Sequence, residues 1–185
     1  MKEDANGYVA IEQFPTGLTA RDFNTRFKDF MKGVQKNDLV VIYLGGHGEK
    51  VDGRLCYCAS NFSNNGTLPE GEVRPDNLIR DAIAPTLRRL DGVHFVLLVN
   101  TCHAGAFASG AQGKDSISQK ESNAAINARM EEVPAGLAVI PACTGNSRAF
   151  EFTEPDQPKA SVFGHYLSDV LKWGIKKGLF RRIYG

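Results

Sequence analysis

Two apolar runs of strand length, each stopping at a reactive side chain, constrain the fold of this chain more than any other feature. The first is Leu39-Val40-Val41-Ile42-Tyr43-Leu44, which continues into Gly45-Gly46-His47-Gly48. The second is His94-Phe95-Val96-Leu97-Leu98-Val99-Asn100, which continues into Thr101-Cys102-His103-Ala104-Gly105. Continuous apolar runs of this length read as strands buried on both faces of a parallel sheet. In open α/β sheets, functional groups collect just beyond the carboxyl ends of such strands. His47 and Cys102 are therefore expected at one edge of a sheet, on strands able to lie side by side. A thiol delivered beside an imidazole supplies a nucleophile and its base.

The rest of the chain supplies layers for that sheet. Thr19, with Asp22 three residues later, is a capping-box-like helix start. Phe23, Phe27, Phe30, Met31 and Val34 then recur at helical spacing and predict one apolar stripe against a core. Asp52-Gly53 is a hairpin turn signal, and Arg54 to Ala59 alternates like a strand. Residues 61–76 read as a loop. Leu78, Ile79, Ala82, Ile83, Leu87 and Leu90 predict another helix, which Pro85 should kink or divide. Residues 108–133 are rich in polar residues and read as a long connection, with a helical tendency from Glu121 to Glu132. Ala138 to Cys143 predicts a short strand, and Val162, Phe163, Tyr166, Leu167, Val170 and Leu171 an amphipathic helix. There are no internal repeats. This order predicts a three-layer α/β/α sandwich around a mostly parallel central sheet.

Composition excludes several alternatives. The chain has 185 residues, 42% hydrophobic and 23% charged, with a net charge of +1. One domain of that size buries a substantial core. Near-neutral charge offers no field for nucleic acid, and no apolar stretch of about 18 residues is present to span a membrane. The N-terminus is polar and acidic, with no apolar signal region. Of the four cysteines, Cys56 and Cys58 alternate on one strand and lack the spacing of a zinc or redox pair. They read as small apolar fillers in a reducing, cytoplasmic compartment. The basic run Lys172, Lys176, Lys177, Arg181 and Arg182 reads as a solvated helix end.

The two strand ends resemble those of the caspase-like cysteine peptidases, and most closely the metacaspase branch, which carries S-G-H-G and, later, D-x-C-H-S-G. In such enzymes the histidine lies about 50 residues upstream of the cysteine, as His47 does of Cys102. The resemblance runs from about Thr19 to Leu171. It implies a caspase-like fold that normally opens with a further strand and helix. The stretch before Thr19 has room for one short strand at most, Tyr8 to Ile11, so that opening unit is expected to be missing or divergent, leaving an exposed sheet edge. Residues 1–107 would then be a large-subunit-like segment, 108–134 a flexible intersubunit-type loop, and 135–185 a small-subunit-like segment of one peptidase domain. Lys114, Lys120 and Arg129 in the loop are candidate self-processing sites.

The function so implied is that of a cysteine endopeptidase acting on proteins or peptides through a Cys102–His47 dyad and an acyl-enzyme. The backbone amides of Gly48 and Cys102 are the implied oxyanion donors. His103 faces away from a strand-end site and reads as structural; His94 and His165 read as packing or surface residues. Metacaspase-like enzymes cleave after Arg or Lys, helped by the Asp of D-x-C-H-S-G, where this chain has Asn100. An amide offers hydrogen bonds without charge. Asp52 or Glu49, or Glu151, are candidates for the missing charge, and a basic residue before the scissile bond is favoured over an acidic one. Arg54 and Arg148 are the arginines available to an acidic preference. No metal ligands are assigned. The chemistry requires no cofactor; calcium enters only because many metacaspases need it, and no Asp/Glu run has the spacing of a calcium loop. Monomer and homodimer both stay open. The alternative from another class is a catalytically silent caspase-like module that binds partners.

Overall fold

In a computed structural model, which describes residues 13–51, 54–63, 72–102, 104, 134–143, 149–150 and 161–176, Thr19 caps the first helix, α1 (Ala20–Lys32). Its hydroxyl oxygen accepts the Asp22 amide at 3.2 Å and donates to the Asp22 carboxylate at 2.7 Å. One orphan N–H of the first turn is thereby satisfied. Asn61 caps the start from outside, its side-chain oxygen accepting the Ala20 amide at 3.0 Å. The expected stripe is buried: Phe23, Phe27 and Met31 face the core, and Val34 follows beyond the helix end. Phe14, Phe27 and Tyr57 surround Phe23, with ring centroids 5.4, 6.2 and 5.9 Å away.

The sheet is parallel among the described residues, in the order β1 (Leu39–Gly45), β5 (His94–Asn100), β6 (Leu137–Pro141). Leu39 lies opposite His94 and Gly45 opposite Asn100, while Phe95 pairs with Leu137 and Val99 with Pro141. Apolar strands without local turns between them pair this way when intervening segments cross over the sheet. One face carries Val40, Ile42, Leu44, Phe95, Leu97, Val99 and Leu137 into a core shared with α1. The expectation of full burial holds for most of β5 and fails for β1. Val41 and Tyr43 are exposed: among the described residues β1 ends the strand order, and the cluster that includes α1 packs on the other face. α4 (Val162–Lys176) lies beside the exposed face at the carboxyl end of β1.

A separate antiparallel ribbon follows β1. It comprises β2 (Gly48–Val51), β3 (Arg54–Cys58) and β4 (Glu72–Val73). Val51 opposite Arg54 is the register of a two-residue hairpin, as the Asp52-Gly53 signal predicts, although those two residues lie outside the described ones. Leu55 and Cys56 are both buried although they are sequence neighbours, so β3 is covered on both faces there.

The loop expected over 61–76 is shorter than predicted. It gives way to β4 and then to α2 (Pro75–Leu78). Proline fits the first helical turn as well as a loop, since its missing N–H is unneeded there. Pro85 neither breaks the following helix nor simply kinks it. A π-helical segment (Ile79–Ile83) precedes α3 (Ala84–Arg89), with the Ala84 amide donating to the Ile79 carbonyl five residues back. The wider turn makes room for the proline ring, and the Thr86 hydroxyl satisfies the Ala82 carbonyl at 2.9 Å. The expected strand Tyr8–Ile11, the connection 108–133 and its helical half lie outside the described residues. No described helix is long and apolar enough to cross a membrane.

Candidate active site

The β1–β5 register ends with Gly45 opposite Asn100, and the Gly46 amide extends it by donating to the Asn100 carbonyl at 3.3 Å. His47 and Cys102 are each the second residue beyond their strand. Parallel pairing brings both to the same edge of the sheet. Gly46, at φ 153°, turns the chain out of β1 in a conformation that side-chain-bearing residues rarely adopt. Gly48 then seats one turn on the other. A β-carbon at Gly48 would lie 2.5 Å from the Cys102 carbonyl oxygen and 2.7 Å from Thr101 Oγ1. Only glycine fits that contact. His47 is exposed and Cys102 half-buried, so both are open to a ligand.

The ribbon braces the histidine turn. The Cys58 amide donates to the His47 carbonyl at 3.0 Å, and the Tyr57 hydroxyl donates to the Gly45 carbonyl at 3.3 Å. The Tyr57 ring lies where a β-carbon on Gly46 would be, 3.0 Å from it. Burial, with a smaller contribution from Cys58, pushes the Tyr57 hydroxyl above its usual range. On the cysteine side, the Ala142 amide donates to the Val99 carbonyl at 2.9 Å and the Cys143 thiol to the Thr101 carbonyl at 3.4 Å. Extension of β6 thus supports the chain leading into Cys102.

Asn100 is buried at 7% exposure. Its Nδ2 donates to Tyr43 Oη and to Ser161 Oγ, each at 2.5 Å. Its Oδ1 is buried without a partner, as is Thr101 Oγ1. Asp52, His103, Arg148 and Glu151 lie outside the described residues. Glu49 is exposed on β2, and Arg54 is turned toward Asp76, 3.5 Å away. His94 is exposed at the start of β5. His165 pairs with Asp169 at 3.5 Å within α4. Among the described residues no three His, Cys, Asp or Glu side chains converge as metal ligands. Tyr43, Ser161 and Cys143 were not singled out at this edge by their local sequence.

The family model described as the caspase domain matches residues 5–181. The chain belongs to the caspase-domain family. Its parallel sheet with flanking helices agrees with the α/β architecture expected of a caspase domain. No curated protein matches this caspase-domain chain in sequence. Among solved structures, it is similar to the crystal structure of protein GSU0716 from Geobacter sulfurreducens, at 18% identity and a TM-score of 0.46. That match covers 84% of this chain and 63% of the other, so the chain spans less than two thirds of that protein's length.

Proposed function

We propose that this caspase domain is a cysteine endopeptidase of the metacaspase type, with Cys102 as nucleophile and His47 as its base. The observation that carries the reading is the contact between Gly48 and the Thr101–Cys102 turn, which leaves no room for a β-carbon. It brings together, at one sheet edge, the two turns that carry His47 and Cys102. Family membership supports the same chemistry.

A free thiol titrates near 8.5 and is mostly protonated at neutral pH. His47 takes that proton, and the Cys102 sulfur adds to the carbonyl carbon of the scissile peptide. The C–N bond then breaks, and the imidazolium protonates the leaving amine. Water, deprotonated by His47, attacks the thioester; the carbon–sulfur bond breaks, releasing the carboxylic acid and restoring the thiol. The oxyanion formed at each addition is held by the amides of Gly48 and Cys102, each donor contributing about 3 kcal/mol. The pairing of Gly48 with Tyr57 supports this role. The neighbouring ladder bond runs from the Cys58 amide to the His47 carbonyl, which in an antiparallel ladder leaves the Gly48 amide outside the β2–β3 bonds.

Cleavage after Arg or Lys is the favoured specificity. Both Nδ2 hydrogens of Asn100 are engaged, so Oδ1 is the group it offers, and it is an acceptor. An unpaired buried acceptor costs about 1–3 kcal/mol, which a donor on the substrate side chain would offset. An acidic side chain would meet it acceptor to acceptor.

The test is turnover of fluorogenic peptides ending in Arg, Lys, Asp or Asn by the wild type, Cys102→Ala and His47→Ala, with and without calcium. Cleavage after Arg or Lys that disappears in both variants is expected. Folded wild-type protein that cuts no peptide would favour the silent, partner-binding module instead.

A further inference from the structure

We propose that Tyr43, Asn100 and Ser161 form a clamp that seats the start of α4 on the carboxyl ends of β1 and β5 and thereby positions the Cys102 turn. Each partner comes from a different part of the chain. Asn100 closes β5, Tyr43 reaches across from β1, and Ser161 immediately precedes α4. Asn100 has two side-chain N–H groups, and both are engaged, one on each hydroxyl oxygen.

Two close approaches make the geometry depend on glycine. The Tyr43 ring folds over Gly45, where a β-carbon would lie 2.6 Å from Cε1, and this brings the hydroxyl to Asn100. At the helix, a β-carbon on Gly164 would lie 2.9 Å from Ser161 Oγ and 3.2 Å from Tyr43 Oη. Ser161 is also the helix cap, its Oγ accepting the Gly164 amide at 3.0 Å. One oxygen therefore starts α4 and ties it to the strand end.

Apolar burial of α4 is partial: Val162, Phe163 and Leu167 are half-buried. Tyr166 and Val170 on α4 remain 60% and 58% exposed, and Val41 and Ile140 on the facing strands 56% and 45%. The polar contacts at the first turn add a directional tie to this partial burial. Asn100 lies two residues before Cys102, so its side chain anchors the last paired position from which the cysteine turn departs. Tyr43 and Ser161 act through Asn100 and are positioning residues.

The experiment follows alkylation of Cys102 by iodoacetamide, read by peptide mass mapping across pH, with Cys58 as internal reference. The proteins are the wild type, Ser161→Ala, Ser161→Thr, Gly164→Ala and Tyr43→Phe, each checked for a cooperative thermal transition. At high pH every thiol is ionised, and the plateau rate reads accessibility of the half-buried Cys102 without reference to His47. Release of the clamp should raise that plateau about tenfold in Ser161→Ala, through local opening. Gly164→Ala should do the same although alanine favours the helix itself. Ser161→Thr keeps hydroxyl and cap and should match the wild type. Wild-type plateaus in folded Ser161→Ala, Gly164→Ala and Tyr43→Phe would overturn the clamp. The inference rests on the peptidase reading only for its catalytic consequence. Loss of the dyad reading would show separately, as a wild-type low-pH limb that His47→Ala leaves unchanged.

Discussion

Thr101 sits at the centre of the candidate site, yet its side-chain hydroxyl takes no part in the hydrogen bonding there. Its side chain is fully buried and its hydroxyl has no partner, packed under the position that Gly48 leaves without a β-carbon. Burying an unpaired hydroxyl is unfavourable, and an apolar group of the same shape removes the penalty. Thr101→Val is therefore expected to raise unfolding stability by about 1 kcal/mol, measured as a higher urea midpoint at unchanged slope. A fall in the midpoint would mean that the hydroxyl is paired in solution. At this scale His47 and Cys102 were legible in the sequence because each interrupts an apolar run at a strand end. Tyr43 and Ser161 were not. Their meeting at Asn100 depends on strand register and on where α4 starts, and no local spacing encodes either.

α1 shows how an element is specified by its own stripe. Phe23, Phe27 and Met31 fall on one face, Thr19 supplies the cap, and the aromatic group around Phe23 links the helix to β3 through Tyr57. Phe27 is 3% exposed in that group. Phe27→Ala is expected to cost about 3–5 kcal/mol, by lost burial and the cavity left behind. Thermal or urea unfolding checks this; a loss below about 1 kcal/mol would place Phe27 outside the cooperative core. Helix existence and phase were readable here because apolar residues recur at a period the backbone imposes. The region around Pro75 and Pro85 was harder. Proline marks a helix start and a helix break with the same residue, and only the Ala84-to-Ile79 bond shows that a π turn absorbs Pro85. The two-residue β4 left no alternation long enough to detect.

For the whole molecule, one topological fact produces the site. β1 and β5 are parallel and in register to their last residues, so whatever follows them emerges together. That pairing was predictable from two long apolar runs, since strands of this kind are buried by crossover connections. The exposed face of β1 was not predictable. A run such as Val41-Ile42-Tyr43 reads the same whether one or both faces are covered, and burial is settled by the layers around it. Covalent attack by Cys102 assisted by His47 is the chemistry proposed for this edge of the caspase domain. The most direct measurement is mass mapping of the protein after brief exposure to a peptidyl chloromethyl ketone ending in arginine. A single adduct on Cys102, formed at least about tenfold more slowly in His47→Ala, is the expected result. Labelling of Cys58 or Cys143 at a comparable rate, or equal labelling of Cys102 without His47, would contradict it.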